Sequence, residues 1–496
     1  MVRGALIAAA LIAPVPAAAQ TATLTLRPAV AEGAVTAVDV TLEWTQGPAA
    51  LALSAPIVYP GSPGVAARMT GITVTDAAGA VPLATRDDAP VPGGFPYFRH
   101  WTAGRAVTYP LRLSYRVGLQ PAGSGNGPPF GLRAVGGGMV GAGSTMLLLP
   151  DDAKVADTQV RWDLSALPKG SIASTSLGDG PHFTFKGGPD ALAQAWILAG
   201  PAGRYPVAGA TGGFSAAWLG KPTFDAPAEM AFTARGHTYL ASYFPHLKPT
   251  PPYRVFLQFR DQPPFGGATA LTQSFMLSRG PLQPGEAPVA PRSTLFHEMI
   301  HQWVGGIQEP NGIASWFAEG LTNYYQDVLM LRGGFLSVAG YQAAINELAE
   351  DYFTSKARNW SAAAITKVGF GDEEVRHTPY RRSAMYFHDL DARIRAHSGG
   401  ERTLDSLLFP MFRAREAGER FDNARWIAMV TAELGPEEKG RFERLILEGT
   451  DTLDPRSDTF GACFARQPAR FAKDGKTIAG WRWVRVAGVP DARCRG

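Results

Sequence analysis

The chain has 496 residues, 45% of them hydrophobic and 18% charged, with a formal net charge of +4. That length accommodates two or three domains with cores of their own, and the composition is that of a folded globular protein. The charge is small for the length and Lys and Arg form no stripe, which argues against a nucleic-acid partner; the 56 Gly and 40 Pro favour turns and short strands.

The chain opens on "MVRGALIAAALIAPVPAAAQ". Arg3 precedes an apolar run, Ala5 to Ala13, and Ala17-Ala18-Ala19 stands just before Gln20. This is the order of an export signal, residues 1–19, with cleavage after Ala19. The run is shorter than the ~20 residues a membrane-spanning helix needs, and no later stretch is long and apolar enough to replace it. The mature chain is therefore expected in the periplasm or outside the cell, without a membrane span.

From residue 20 to 208 a β-domain is expected. In "VDVTLEW" Val38, Val40, Leu42 and Trp44 share one face; in "LRLSYRV" Leu111, Leu113, Tyr115 and Val117 do. Such alternation predicts antiparallel strands with one side buried, as in a β-sandwich. "TMLLLP" reads as a buried strand, and the Gly-rich stretch around 206–224 as a boundary.

The next unit is placed at 209–338. "DAPAEMAFTARGHTYLASYFP" reads as a helix capped by Asp225 and stopped by Pro245, and "YRVFLQF" as a strand. The Pro-rich "PLQPGEAPVAPRS" leads into a helix for which Ser293 or Thr294 is placed to cap. A mostly helical region follows over 339–450, then an irregular tail over 451–496 with one strand-like piece, "GWRWVRVAG". The overall class is α+β. The tail holds both cysteines, Cys463 and Cys494, which an oxidising compartment would let close into a loop.

The chemistry is concentrated in "STLFHEMIHQWVGG". On a helix, residues four apart share a face, so His297 and His301 can hold one metal while Glu298 reaches a water beside it. This is the His-Glu-x-x-His arrangement of a zinc hydrolase. A catalytic zinc takes three protein ligands and keeps one position open. Glu319 in "SWFAEGLTNYY", on a helix expected from about 314 to 331 and packed through Trp316, Phe317 and Leu321, is the candidate third ligand. Asn323 lies one turn further on, placed to orient a ligand.

HEMIHQWVGG followed by WFAEG resembles the gluzincin metallopeptidases of the aminopeptidase N-like family, and WFAEGLTNYY also resembles the glycyl aminopeptidases. The resemblance implies a thermolysin-like catalytic domain and one Zn²⁺ held by His297, His301 and Glu319. It implies Glu298 as general base and peptides or proteins as substrates. In "HTPYRRSAMYFHDLD" it places Tyr380 as the oxyanion donor, with Tyr386 as the alternative and Ser383 where the family has glycine. His377, three residues before Tyr380, could approach the site. The family's substrate strand corresponds to "FGGATALTQSF": Gly266 and Gly267 are kept, but Ala268-Thr269-Ala270 carries no glutamate for a substrate's α-amino group. Asp261 is the nearest substitute in sequence. A buried ammonium without a counter-charge costs several kcal/mol, so free N-termini are not expected to be favoured. Endopeptidase activity, hydrolysis of a special N-terminus, and a non-catalytic peptide binder with vestigial zinc are the competing expectations.

Overall fold

The computed structural model describes residues 21–123, 127–207, 213–310 and 312–495, so the expected export signal lies outside the described residues. The fold is α+β. Strands dominate up to Arg279, apart from helix α1 (Ala226–Tyr243) and short 3-10 turns, and helices dominate from Arg292 to Glu448.

Alternation builds the first half. Val38, Val40, Leu42 and Trp44 are buried, as are Leu111, Leu113, Tyr115 and Val117. Their strands, Ala34–Trp44 and Leu111–Gly118, pair antiparallel at the centre of a seven-stranded sheet. Thr21–Ala31 extends it on one side and meets Asp157–Trp162 in parallel. Two further sheets close over the same core.

"TMLLLP" is buried as expected, but only Leu149–Pro150 is a strand. A 3-10 turn at Gly143–Thr145 precedes it. The Tyr115 hydroxyl takes the place of a ladder: it donates to the Met146 carbonyl at 3.1 Å and accepts from the Leu148 N–H at 2.8 Å. A buried backbone can thus be satisfied without a strand.

The Gly-rich stretch read as a boundary contains a strand, Phe214–Leu219. It belongs to a five-stranded sheet in the order Gly203–Tyr205, Phe214–Leu219, Tyr253–Phe259, Ser274–Arg279, Ala268–Leu271. The three middle strands are parallel and Ala268–Leu271 is an antiparallel edge. Both faces are covered. Val255, Leu257, Phe275 and Leu277 join the core shared with the helices; Ala217, Leu219, Phe256 and Met276 pack on Trp196 and Phe130 of the β-rich half. Burial on both sides is what parallel strands require.

Helix α1 is capped by Asp225, which accepts the Ala228 N–H at 3.1 Å. α2 spans Arg292–Val304, α3 Ser315–Arg332, α4 Val338–Thr354, α5 Ala362–Val368, α6 Glu373–Arg376 and α7 Thr378–His397. Neither Ser293 nor Thr294 caps α2. The helix begins one residue earlier at Arg292, which pairs instead with Glu229 of α1 at 2.8 Å. Trp316 and Phe317 on α3 meet Phe387 of α7 and Trp426. Among the described residues no helix is long and apolar enough to cross a membrane.

The tail is more regular than expected. Phe464–Lys473 and Lys476–Arg485 form a β-hairpin, turned at Asp474-Gly475, both with positive φ. Asp-Gly between two extended segments is a strong hairpin signal. Cys463, just before the hairpin, is disulfide-bonded to Cys494 in the short helix Asp491–Cys494 that follows it, with Cα atoms 5.5 Å apart.

Candidate active site

α2 and α3 run past each other beneath the edge strand Ala268–Leu271. Their facing sides carry His297 and His301, one turn apart, and Glu319. His297 Nε2 lies 3.2 Å from Glu319 Oε2 and 3.2 Å from His301 Nε2, which is 3.4 Å from the same carboxylate oxygen. Ligands of a tetrahedral zinc at ~2.0–2.1 Å stand about 3.3 Å apart, so this triangle fits the ion without rearrangement. Among the described residues it is the one cluster of three metal-binding side chains.

The histidine tautomer is set from behind. Thr322 Oγ1 donates to the Ala318 carbonyl at 2.6 Å, so its lone pairs face His301 Nδ1 at 3.3 Å. His301 therefore carries its proton on Nδ1 and offers Nε2 to a metal. Burial works against ionisation of Glu319, but the two imidazoles overcome it and hold the carboxyl well below the usual carboxylate range.

Glu298 is 6% exposed and lies in the same cleft as the triangle, next to the edge strand, from which the Ala270 N–H reaches its carboxyl. Burial pushes its pKa up to about 7, opposed by His297, reinforced by Glu319 and opposed by the Ala270 N–H. The Tyr253 hydroxyl anchors the backbone at this point, donating to the Glu298 carbonyl at 3.1 Å. The Ser278 backbone N–H donates to the Gly267 carbonyl at 2.9 Å, which sets the phase of the edge strand. By antiparallel alternation Ala268 and Ala270 then turn their N–H and C=O groups to the open side.

Tyr380 starts α7 and its ring stacks on His297 with centroids 6.0 Å apart. Burial, and next the Glu319 charge, raise its pKa well above the ordinary tyrosine value, so the hydroxyl keeps its proton and remains a donor. Tyr386 is elsewhere, buried and bonded by Trp426 Nε1 at 3.3 Å. Asn323 does not touch a candidate ligand; it donates to the Tyr380 carbonyl at 3.4 Å and so holds the start of α7. The residue behind a ligand is Thr322, which sequence reasoning passed over although it stands beside Asn323 on the same helix.

His297, Glu298, His301, Glu319, Asn323 and Tyr380 line a cleft of about 1230 Å³ that also takes in Gly266, Gly267 and Ala268, as well as His377. Phe95, Gly127 and Phe130 of the β-rich half form part of its wall. Among the described residues its carboxylates are Glu298, Glu319 and the exposed Glu373. Asp261 is exposed on a loop and does not line the cleft.

Residues 291–383 match the model of the M61 glycyl aminopeptidase family. The match spans α2, α3 and the first turns of α7, the elements that carry the candidate site. The whole fold is similar to an aminopeptidase N family protein from Idiomarina loihiensis, with 15% identity over 92% of this chain and 81% of that one, at a TM-score of 0.67. It is also similar to an M1 zinc metallopeptidase from Deinococcus radiodurans, with 16% identity over 88% of this chain and 95% of that one, at a TM-score of 0.53. Yeast LTA4 hydrolase in complex with bestatin is similar at 13% identity over 88% of this chain and 68% of that one, with a TM-score of 0.52. No curated protein matches the chain. The segment with the candidate site is thus similar to glycyl aminopeptidases and the fold to that of M1 zinc metallopeptidases, the two families that the motifs resemble.

Proposed function

We propose that this chain is an exported zinc metallopeptidase that hydrolyses peptide bonds without selecting a free N-terminus. The carrying observation is the triangle of His297, His301 and Glu319 with Glu298 beside it, buried and facing the edge strand. One zinc bound by the three side chains would polarise a scissile carbonyl and bring the pKa of a water toward ~7.

The chain's own residues supply the rest. The edge strand presents the Ala268 N–H and the Ala270 carbonyl to an extended peptide, which pairs as an added strand, while the Ala270 N–H is kept by Glu298. Glu298, poised near neutrality, takes the proton of the attacking water and returns it to the leaving nitrogen. Tyr380, still protonated, donates to the oxygen on which negative charge develops. No carboxylate on Ala268-Thr269-Ala270 meets a substrate ammonium, and Glu373, exposed, leaves such a charge in solvent contact.

The test uses the zinc-loaded chain starting at Gln20 and one peptide in free and N-acetylated forms, with cuts located by mass spectrometry. Internal cuts in both forms are expected. Removal of single residues from the free form alone would mean an aminopeptidase. Zinc binding without any cleavage would mean a peptide-binding protein on a peptidase scaffold, the reading that the missing glutamate favours and the retained Glu298 opposes. Export is checked by sequencing the N-terminus of the native protein, expected at Gln20.

A further inference from the structure

Arg376 lines the same cleft, at the end of α6. Two arginines do so. Arg279 is paired with Glu286 at 2.8 Å. Among the described residues Arg376 has no carboxylate in ion-pair reach. Of the acids beside it, Asp372 is engaged by Lys356 at 2.5 Å and Glu374 by Lys473 at 2.6 Å, while Glu373, exposed in the same cleft, is not within ion-pair distance of it. Its hydrogen bond runs from Nη2 to His377 Nε2 at 2.9 Å, in which the guanidinium can only donate.

A structural arginine in this protein behaves differently. Arg382 donates to the carbonyls of Arg358, Trp360 and Ile446. Arg415 donates to those of Trp303 and Gly306. Among the described residues Arg376 donates to no backbone carbonyl, which leaves most of its five N–H groups for something in the cleft.

Its surroundings strengthen an ion pair. The guanidinium carbon is 5.7 Å from the centre of the Phe370 ring and 6.0 Å from that of Tyr380. Phe95 closes on Phe370 from the β-rich half, with centroids 5.7 Å apart. A half-buried charge between rings is less hydrated than one in solvent, and its attraction for an opposite charge is less screened. Position follows from the rings too: the Tyr380 ring centre is 6.0 Å from both the Arg376 guanidinium carbon and the His297 ring, so the two groups stand no more than about 12 Å apart. Extended chain rises ~3.3 Å per residue, so roughly two to four residues cover that span.

Taking the cleft as the peptidase site, we propose that Arg376 is a specificity residue for a substrate carboxylate. The preferred peptides carry a carboxylate two to four residues from the bond that is cut, supplied either by the peptide's own C-terminus or by an Asp or Glu side chain. The planar guanidinium binds it with paired N–H donors, a geometry lysine does not reproduce.

The test separates this subsite from the reaction. A zinc-loaded Glu298→Gln protein is titrated by calorimetry with four versions of one peptide: acidic side chain present or replaced by its amide, each with a free or amidated C-terminus. Loss of the recognised carboxylate should weaken binding about 10- to 100-fold, and the four arms show which source is read. In the active protein the same change should raise KM and leave kcat nearly unmoved. Arg376→Gln should bind all four alike, and Arg376→Lys should recover part of the preference. Equal binding of all four peptides, no measurable binding of the carboxylate peptides, or a preference that survives Arg376→Gln overturns the subsite. Carboxylate-dependent binding without cleavage by the active protein would remove the peptidase reading and keep the subsite; cleavage without such a preference would do the reverse.

Discussion

Gly320 on α3 faces Ser383 on α7 so closely that a Cβ on the glycine would stand 2.3 Å from the Ser383 Cβ. The two helices touch at the residue directly after Glu319, and α7 carries Tyr380 at its start. Gly320→Ala must therefore drive the helices apart. Overpacking of this kind costs ~1–3 kcal/mol, and it should also withdraw Tyr380 from the cleft. The expected outcome is a lower melting temperature together with at least a tenfold fall in kcat/KM. Unchanged kcat/KM in a folded Gly320→Ala protein would detach Tyr380 from the reaction.

Thr322 holds the His301 ring through Nδ1, at 3.3 Å. Thr322→Val keeps the shape and removes the acceptor, so either ring nitrogen can then carry the proton. Loss of such a supporting contact typically costs 10- to 100-fold in metal affinity. Competition with a graded series of chelators should show the variant surrendering zinc at correspondingly weaker chelation, with its fold unchanged by circular dichroism.

How far these features can be read from sequence depends on the range of the geometry involved. His297 and His301 are four apart, and helix periodicity alone brings their rings together. Glu319 required only that the next helix pack against the first. Thr322 could not be singled out over Asn323, because the choice depends on how α3 is rotated about its axis, which the Gly320–Ser383 contact and the aromatic packing of Trp316 decide. The β-rich half announced itself through Val38 to Trp44 and Leu111 to Val117, where one face meets water. The strand Phe214–Leu219 did not, since its two faces enter different cores and alternation disappears. The hairpin turn at Asp474-Gly475 was readable from its residues; Pro468 within the first strand obscured it, though a strand of a two-stranded sheet has an open edge that tolerates proline. Arg376 could be found only from the structure, because it stands out by the partners it lacks.

Glu298→Gln tests the assigned base directly. The amide has nearly the same volume and can still accept from the Ala270 N–H, but it cannot take a proton from water. Removal of a general base costs ~10²–10⁴ in rate. Turnover should fall by that factor while the zinc content, measured by atomic emission on the purified protein, stays at one ion per chain. Full activity in the variant would mean that another group moves the proton.

Stability should fall in weak acid because of a histidine outside the site. His237 on α1 is 6% exposed and packs against the rings of Phe214, Tyr253 and Trp303. Burial depresses its pKa from 6.5 to about 4. Above pH 6.5 the ring is neutral in both the folded and the unfolded chain, and its contribution is constant. Between about 6.5 and 4 the unfolded chain takes up a proton that the folded protein refuses, so folding stability drops as the pH falls through that window. The slope is about 1.4 kcal/mol per pH unit for one fully protected group. His246, also buried and depressed to about 4, adds to it with the same sign. Denaturant unfolding of His237→Phe and wild type, both in excess zinc, isolates this residue, because the histidines of the triangle titrate alike in the two proteins. The variant should lose stability less steeply below pH 6.5, and parallel pH curves for the two proteins would show that His237 is already protonated in the folded state.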